Sequence, residues 1–194
     1  YHAACAVWLA QTERAEELLP LIAEHYEKAE DKSQAAAYLE RAGDKVMNVS
    51  SFADAVRFYT RTQSLVANPS SSLSLKLAEA NYRLGDFPAA HTATEAARAA
   101  ATTEADRAAA LALLGEMTSE LGDYAEAQKI LSQAVPMARA SGNQTVLSRA
   151  LYGLGDVNWR LGKLDEARVA LDESLALART LGDLTRELFA LNRL

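Results

Sequence analysis

His2, His25, His91 and the single Cys5 are the side chains best suited to hold a metal or attack a substrate, and none stands at ligand spacing from another. His25 lies in "AEHYEKA", where packing or solvation explains it better than ligation. Cys5 sits in "AACAVW" with no basic neighbour in pattern to favour its thiolate, so it reads as a small buried apolar residue. "GLGDVNWRLG" at 153–162 has closely spaced glycines, but no strand precedes it and both ends continue a helical pattern. Helix packing accounts for those glycines better than a phosphate cradle does. No nucleophile elbow, P-loop or His-Glu-x-x-His run occurs. The expectation is a segment with no catalytic residues, no cofactor and no metal.

The elements behind these residues repeat. "LGDFPAAHTATEAAR" at 84–98 returns as "LGDYAEAQKILSQAV" at 121–135 and as "LGKLDEARVALDESL" at 161–175. Gly85, Gly122 and Gly162 each follow one helical pattern and precede another, where a left-handed residue ends a helix cheaply. Asp86 and Asp123 are natural N-caps; Lys163 breaks that pattern and leaves Asp165 in the first turn. Ala90, Ala127 and Ala167 face Ala78, Gly115 and Gly155 across the hairpin, small against small, so that two helices can approach closely. A lone hairpin cannot bury its apolar face, and stacked copies can. Helices are expected near 2–10, 14–29, 33–49, 52–67, 71–84, 87–101, 104–121, 124–140, 144–161, 164–181 and 184–194. Pro20 should kink its helix or delay its regular start. Residues 66–72, "VANPSSS", read as a loop.

These hairpins resemble tetratricopeptide repeats. The resemblance runs through Leu111, Leu114, Gly115, Gly122, Ala127, Leu131 and Ala134, and through Leu151, Leu154, Gly155, Gly162, Ala167, Leu171 and Ser174. Leu77, Ala78, Gly85, Ala90, Thr94 and Ala97 form a weaker copy. Ile22, Ala23, Tyr26, Ala35, Leu39 and Ala42 form another, with Glu30 in place of the turn glycine. The helix after Ser33 serves two hairpins, the second through Leu39, Gly43, Val46, Ala55, Tyr59 and Thr62. The resemblance implies an all-α, right-handed α-solenoid of about five such hairpins without β-strands, a single array over 1–194. Its repeats are 16–49, 36–69, 71–104, 108–147 and 148–183, with a partial copy at 184–194. The later, 40-residue period exceeds the usual ~34 and calls for helices about one turn longer.

Such arrays act through a face lined by the first helix of each hairpin. The family register puts Glu79, Tyr82 and Arg83 there, then Glu116 and Glu120, then Tyr152, Asp156, Trp159 and Arg160. Leu75, Ser119, Glu40, Arg41 and Asp44 fall on the same face. Tyr82 and Trp159 occupy equivalent positions, as do Glu79, Glu116 and Asp156. One reading is a groove in which aromatics anchor a protein or peptide and acids select a basic or mixed-charge one. The plainer reading is a solvated face whose aromatics pack on the next repeat. Repeats that grip a C-terminal carboxylate use Asn and Lys at such places, so acids here disfavour that ligand.

The net charge of −6 argues against a nucleic-acid partner, and no apolar run reaches membrane-spanning length. One cysteine excludes an internal disulfide and fits a reducing, cytoplasmic setting. Residues 1–46, from "YHAACAVW" to "YLERAGDKV", and "LALARTLGD" at 175–183 resemble the repeat region of large bacterial signalling ATPases and class III adenylate/guanylate cyclase proteins. The resemblance implies a sensor module, a piece of a longer protein, with neither the cyclase's metal-binding aspartates nor the ATPase's phosphate loop in this stretch. Self-association and the C-terminal sensor of an ATPase-type transcriptional activator are the alternatives.

Overall fold

A computed structural model describes residues 1–194. The chain is all-α, with eleven α-helices, one 3-10 turn and no strand. Packing divides it into two compact units, Tyr1–Ala93 and Thr94–Leu194. The first holds α1 (His2–Ala10), the 3-10 turn Ala15–Glu17, α2 (Leu19–Lys28), α3 (Lys32–Asn48), α4 (Phe52–Leu65) and α5 (Ser71–Leu84). Within α6 (Phe87–Ala99) lies the division itself. The second unit holds α7 (Glu104–Glu120), α8 (Tyr124–Ser141), α9 (Gln144–Arg160), α10 (Leu164–Leu181) and α11 (Leu184–Leu191).

Turn chemistry sets the hairpins. Gly85, Gly122 and Gly162 have φ of +86°, +90° and +75°, the left-handed conformation expected of them. In each, the amide that follows the glycine reaches back five residues: Asp86 to Asn81 O at 2.9 Å, Asp123 to Thr118 O at 3.2 Å, Lys163 to Asn158 O at 2.9 Å. The same bond closes the turns at Asp31–Tyr26 and Ser51–Val46, where Glu30 and Ser50 take φ of +62° and +59° without being glycine. The next helix is then capped. Asp86 accepts from Ala89 N and Asp123 from Glu126 N, whereas Lys163 supplies no side-chain cap.

The small residues are buried as the packing logic requires, with one correction to their partners. A Cβ on Gly115 would stand 2.5 Å from Leu131 Cγ, and one on Gly155 would stand 2.6 Å from Leu171 Cγ. Ala127 and Ala167 are buried, and the Ala167 carbonyl comes within 3.3 Å of a Cβ placed on Gly155, but the side chain that fills each glycine's notch is the leucine one turn further on. Gly43 does the same for the ring of Tyr59, so α3 packs on both α2 and α4 and serves two hairpins.

Alanine-rich cores follow from this close approach. In the first unit Leu19, Ala23, Leu39, Ala42 and Phe58 form one cluster and Ala6, Ile22, Tyr26 and Ala35 another. In the second, Ala108, Ala112, Ala134, Leu147, Ala150 and Leu151 belong to the main cluster, with Ala127, Leu131 and Val157 beside the turns. Helices α7 to α10 run 17 or 18 residues against 14 for α5 and 13 for α6, the extra turn that the longer period demands. Pro20 delays the start of α2: a 3-10 turn precedes it and the proline stands in its first turn. Pro136 lies inside α8, exposed, and the helix continues through it. Cys5 is half-buried rather than buried. Residues 66–70 are the expected loop, although the division between units falls later, inside α6. No helix is long and apolar enough to cross a membrane.

Candidate interaction surface

In the second unit α7 and α9 carry the candidate residues, each acid following a packing glycine. Burial of Gly115 and Gly155 against α8 and α10 turns Glu116 and Asp156 toward the neighbouring inner helix. Glu116, its side chain 15% exposed, meets Arg149 of α9 in a two-pronged pair, Nε to Oε1 at 2.9 Å and Nη2 to Oε2 at 2.5 Å. Asp156 is 8% exposed and pairs twice. Its Oδ2 takes Arg160 Nε at 2.8 Å, and its Oδ1 faces Arg193 Nε at 2.5 Å. The Arg160 guanidinium continues over the Tyr124 ring at 5.3 Å and donates to the Tyr124 hydroxyl at 3.2 Å. Hydrogen bonding to Asp156 holds the Arg160 pKa above its ordinary value, against a smaller opposing effect of burial.

Aromatics complete this face. Tyr152 lies beside Phe189 of α11 with ring centroids 5.9 Å apart. Burial, then the nearby Asp156 carboxylate, raises the Tyr152 phenol pKa. Trp159 remains 46% exposed, with the Arg193 guanidinium 4.9 Å above its ring. Glu120 is exposed at the end of α7.

In the first unit α5 carries Glu79, Tyr82 and Arg83. Glu79, 18% exposed at its side chain, pairs with Arg83 Nε at 2.8 Å on the same helix. Tyr82 is half-buried and meets Phe87 edge-on at 5.9 Å. On α3, Glu40 and Asp44 share Lys76 of α5, at 2.7 and 2.8 Å, and the Tyr59 hydroxyl donates to Asp44 at 2.8 Å. For Lys76 burial opposes charge, yet the hydrogen bonds to Asp44 and Glu40 leave its pKa raised. Burial, then the bond to Asp44, pushes the Tyr59 phenol far above its usual range.

The acids that follow the packing position thus all have basic partners: Asp44 with Lys76, Glu79 with Arg83, Glu116 with Arg149, Asp156 with Arg160 and Arg193. Two of the four, Asp44 and Glu116, reach a base on the next inner helix, which stitches successive hairpins together, and Asp156 reaches Arg193 just beyond α11. Sequence reasoning singled out the acids and missed Lys76, Arg149 and Arg193. A signal existed: Lys76 lies 32 residues after Asp44 and Arg149 lies 33 after Glu116, one hairpin on and one or two helical turns back. The histidines also differ from their scattered reading. His2 and His25 meet at 3.0 Å between Nδ1 atoms, where α1 packs on α2, although no group of three or more metal-ligating side chains forms.

Comparison with known proteins agrees with this architecture. Residues 106–180, fewer than half of the chain, match the family model described as tetratricopeptide repeat. No curated protein matches. Among solved structures the chain is similar to MamA protein, with TM-score 0.65 and 19% identity over 94% of this chain and 95% of that one. It is similar to YrrB, described as a TPR protein with an unusual peptide-binding site, with TM-score 0.62 and 18% identity over 98% and 89%. A Rap protein complexed with competence and sporulation factor gives TM-score 0.65 and 20% identity over 90% of this chain and 53% of that one. At these identities the likeness establishes the fold alone: an all-α array of tetratricopeptide-like hairpins.

Proposed function

We propose that this chain is a protein- or peptide-binding regulatory module whose ligand docks on the inner helices, above all on α9. The observation that carries the reading is Trp159. A large indole stays 46% exposed on a helix whose surrounding side chains are fixed by the Asp156, Arg160 and Tyr124 contacts. An exposed aromatic on a rigid frame is the usual anchor of a recognition surface. YrrB, with its unusual peptide-binding site, and the Rap protein, complexed with competence and sporulation factor, lend support by analogy of fold. Glu79, Tyr82 and Arg83 on α5, and Glu116, Glu120, Tyr152, Asp156, Trp159 and Arg160 on α7 and α9, are the proposed contact residues. A basic or mixed-charge ligand suits them, since Glu79, Glu116 and Asp156 each already accept an arginine.

The module reads as a single functional unit over 1–194, serving as the cytoplasmic sensor of a larger bacterial signalling protein of the nucleotide-cyclase or signalling-ATPase kind. That parentage is supported only by the wording of residues 1–46 and 175–183. The test of binding is a titration with a peptide panel of varied charge. Saturable binding that is lost on Trp159→Ala and weakened on Arg160→Ala supports the reading; binding indifferent to both removes it.

A second reading, self-association, is favoured by α11. Leu184 and Leu188 are 76% and 63% exposed, and Leu191 is exposed beside them. Sedimentation over a hundredfold concentration range decides it, and a monomer throughout counts against it.

A further inference from the structure

Asp156 and Trp159 lie three residues apart on α9 and share one visitor. The Arg193 guanidinium lies 4.9 Å from the centre of the Trp159 ring while its Nε approaches Asp156 Oδ1 at 2.5 Å. An aromatic face beside a carboxylate is the combination that recognises a cation, and a planar guanidinium stacks on an indole better than an ammonium does. The Asp156 oxygens have different company. Oδ2 accepts a well-formed bond from Arg160, whereas Oδ1 is buried and accepts no hydrogen bond of good angle. Its compensating charge on the open side is Arg193. A carboxylate oxygen in that position needs a cation, but not that particular one.

Arg193 reaches the pair from just beyond α11. Helix α11 has eight residues, of which Ala190 alone is buried. Leu184, Leu188, Phe189 and Leu191 are all more than a third exposed, and Arg193 itself lies beyond the helix in the final turn.

We propose that Asp156 and Trp159 form a subsite for the guanidinium of a partner's arginine, and that Arg193 is its resident occupant, displaced when the partner binds. The proposal rests on the peptide-binding reading above and supplies the chemistry of its ligand. Arg193 competes from within the same chain, at a high effective concentration, so it holds the free site closed to weak ligands. A partner must offer an arginine together with neighbouring contacts that Arg193 lacks. Tyr152 and the Phe189 ring beside it provide an apolar place for one such contact.

The test uses the 194-residue chain carrying Trp8→Phe, which leaves Trp159 as the one indole. The probes are two blocked hexapeptides: a copy of residues 189–194, Phe-Ala-Leu-Asn-Arg-Leu, and the same peptide with uncharged citrulline for arginine. Trp159 emission reports binding. Arg193→Gln is expected to bind the arginine peptide at least tenfold more tightly than the parent, and at least tenfold more tightly than it binds the citrulline peptide. Adding Asp156→Asn should erase that preference. Equal affinities of parent and Arg193→Gln, or equal affinities for the two peptides, overturn the proposal. If calorimetry shows that Trp159→Ala still abolishes binding in that case, the wider docking reading survives. Absence of binding by any peptide on any variant overturns both. Should Arg193→Gln unfold, the parent chain decides the matter. Its Arg193 Nε–H resonance must move to the free-arginine position at saturating arginine peptide, and a resonance that stays in place refutes displacement.

Discussion

Glu30 and Ser50 occupy a backbone conformation that glycine holds at five other turns, with φ of +62° and +59°. A non-glycine residue there carries about 1 kcal/mol of strain. Glu30→Gly and Ser50→Gly should therefore each raise stability by about 0.5–1 kcal/mol, read as a shift in the urea midpoint without a change in slope. Gly115 makes the opposite case. Its helix is regular, and the obstacle to a side chain is Leu131 Cγ at 2.5 Å. Gly115→Ala should cost about 1–3 kcal/mol, and Leu131→Val in the same chain should recover part of the loss. Tyr59 adds a dependence on pH. Its phenol is held protonated in the fold, chiefly by burial and then by the bond to Asp44. Above pH of about 10 the unfolded chain releases that proton while the folded chain keeps it, so stability must fall as pH rises further. The raised pKa of Lys76 acts in the same direction and the same window. Urea midpoints measured from pH 8 to 11.5 should decline, and Tyr59→Phe should flatten the decline.

Single helices obey their end residues. The glycine turns of the hairpins read from the sequence because their requirements are local: a residue with positive φ, a cap at the next position, an apolar residue behind it. Lys163 is the exception that tests the rule. It stands where Asp86 and Asp123 cap their helices, and it puts a cation at the positive end of α10 without a side-chain cap. Lys163→Asp should stabilise by about 0.5–1 kcal/mol despite losing the Lys163 bond to Gln128. A thermal midpoint that falls instead would show that the Gln128 bond matters more than the cap. Helix length was legible too, since a 40-residue period leaves room for one more turn in α7 to α10. The stitching between inner helices was not. Glu116 finds Arg149, and Asp156 finds Arg193, only after one hairpin has been set beside the next. That step depends on how Leu131 and Leu171 fill the notches at Gly115 and Gly155, a packing detail with no counterpart in local periodicity. The His2–His25 contact was hidden for the same reason, because α1 shows no hairpin phrase to register it on α2.

Across the whole molecule, each compact unit has its own apolar clusters and its own buried polar knot, Lys76 with Glu40, Asp44 and Tyr59 in one and Glu116 with Arg149 in the other. Repeat arrays gain stability from each hairpin and from its nearest neighbours, so damage should stay near its source. The Glu116–Arg149 pair offers a clean place to inflict it. Its side chains are only 15% and 22% exposed, so removing one partner takes the compensating carboxylate from a largely buried charge. Glu116→Leu should cost about 1–3 kcal/mol, whereas Glu116→Leu with Arg149→Met, which replaces the pair by apolar side chains, should cost less than either single change. Hydrogen exchange followed by mass spectrometry locates the effect. For Glu116→Leu, amides in α7 and α9 should lose protection, those of α8 and α10 should follow through the shared core, and those of α2 to α4 should keep the exchange rates of the parent chain. A uniform loss from α2 to α10 would mean that the chain opens as one cooperative body, and the nearest-neighbour account of its stability would then fail.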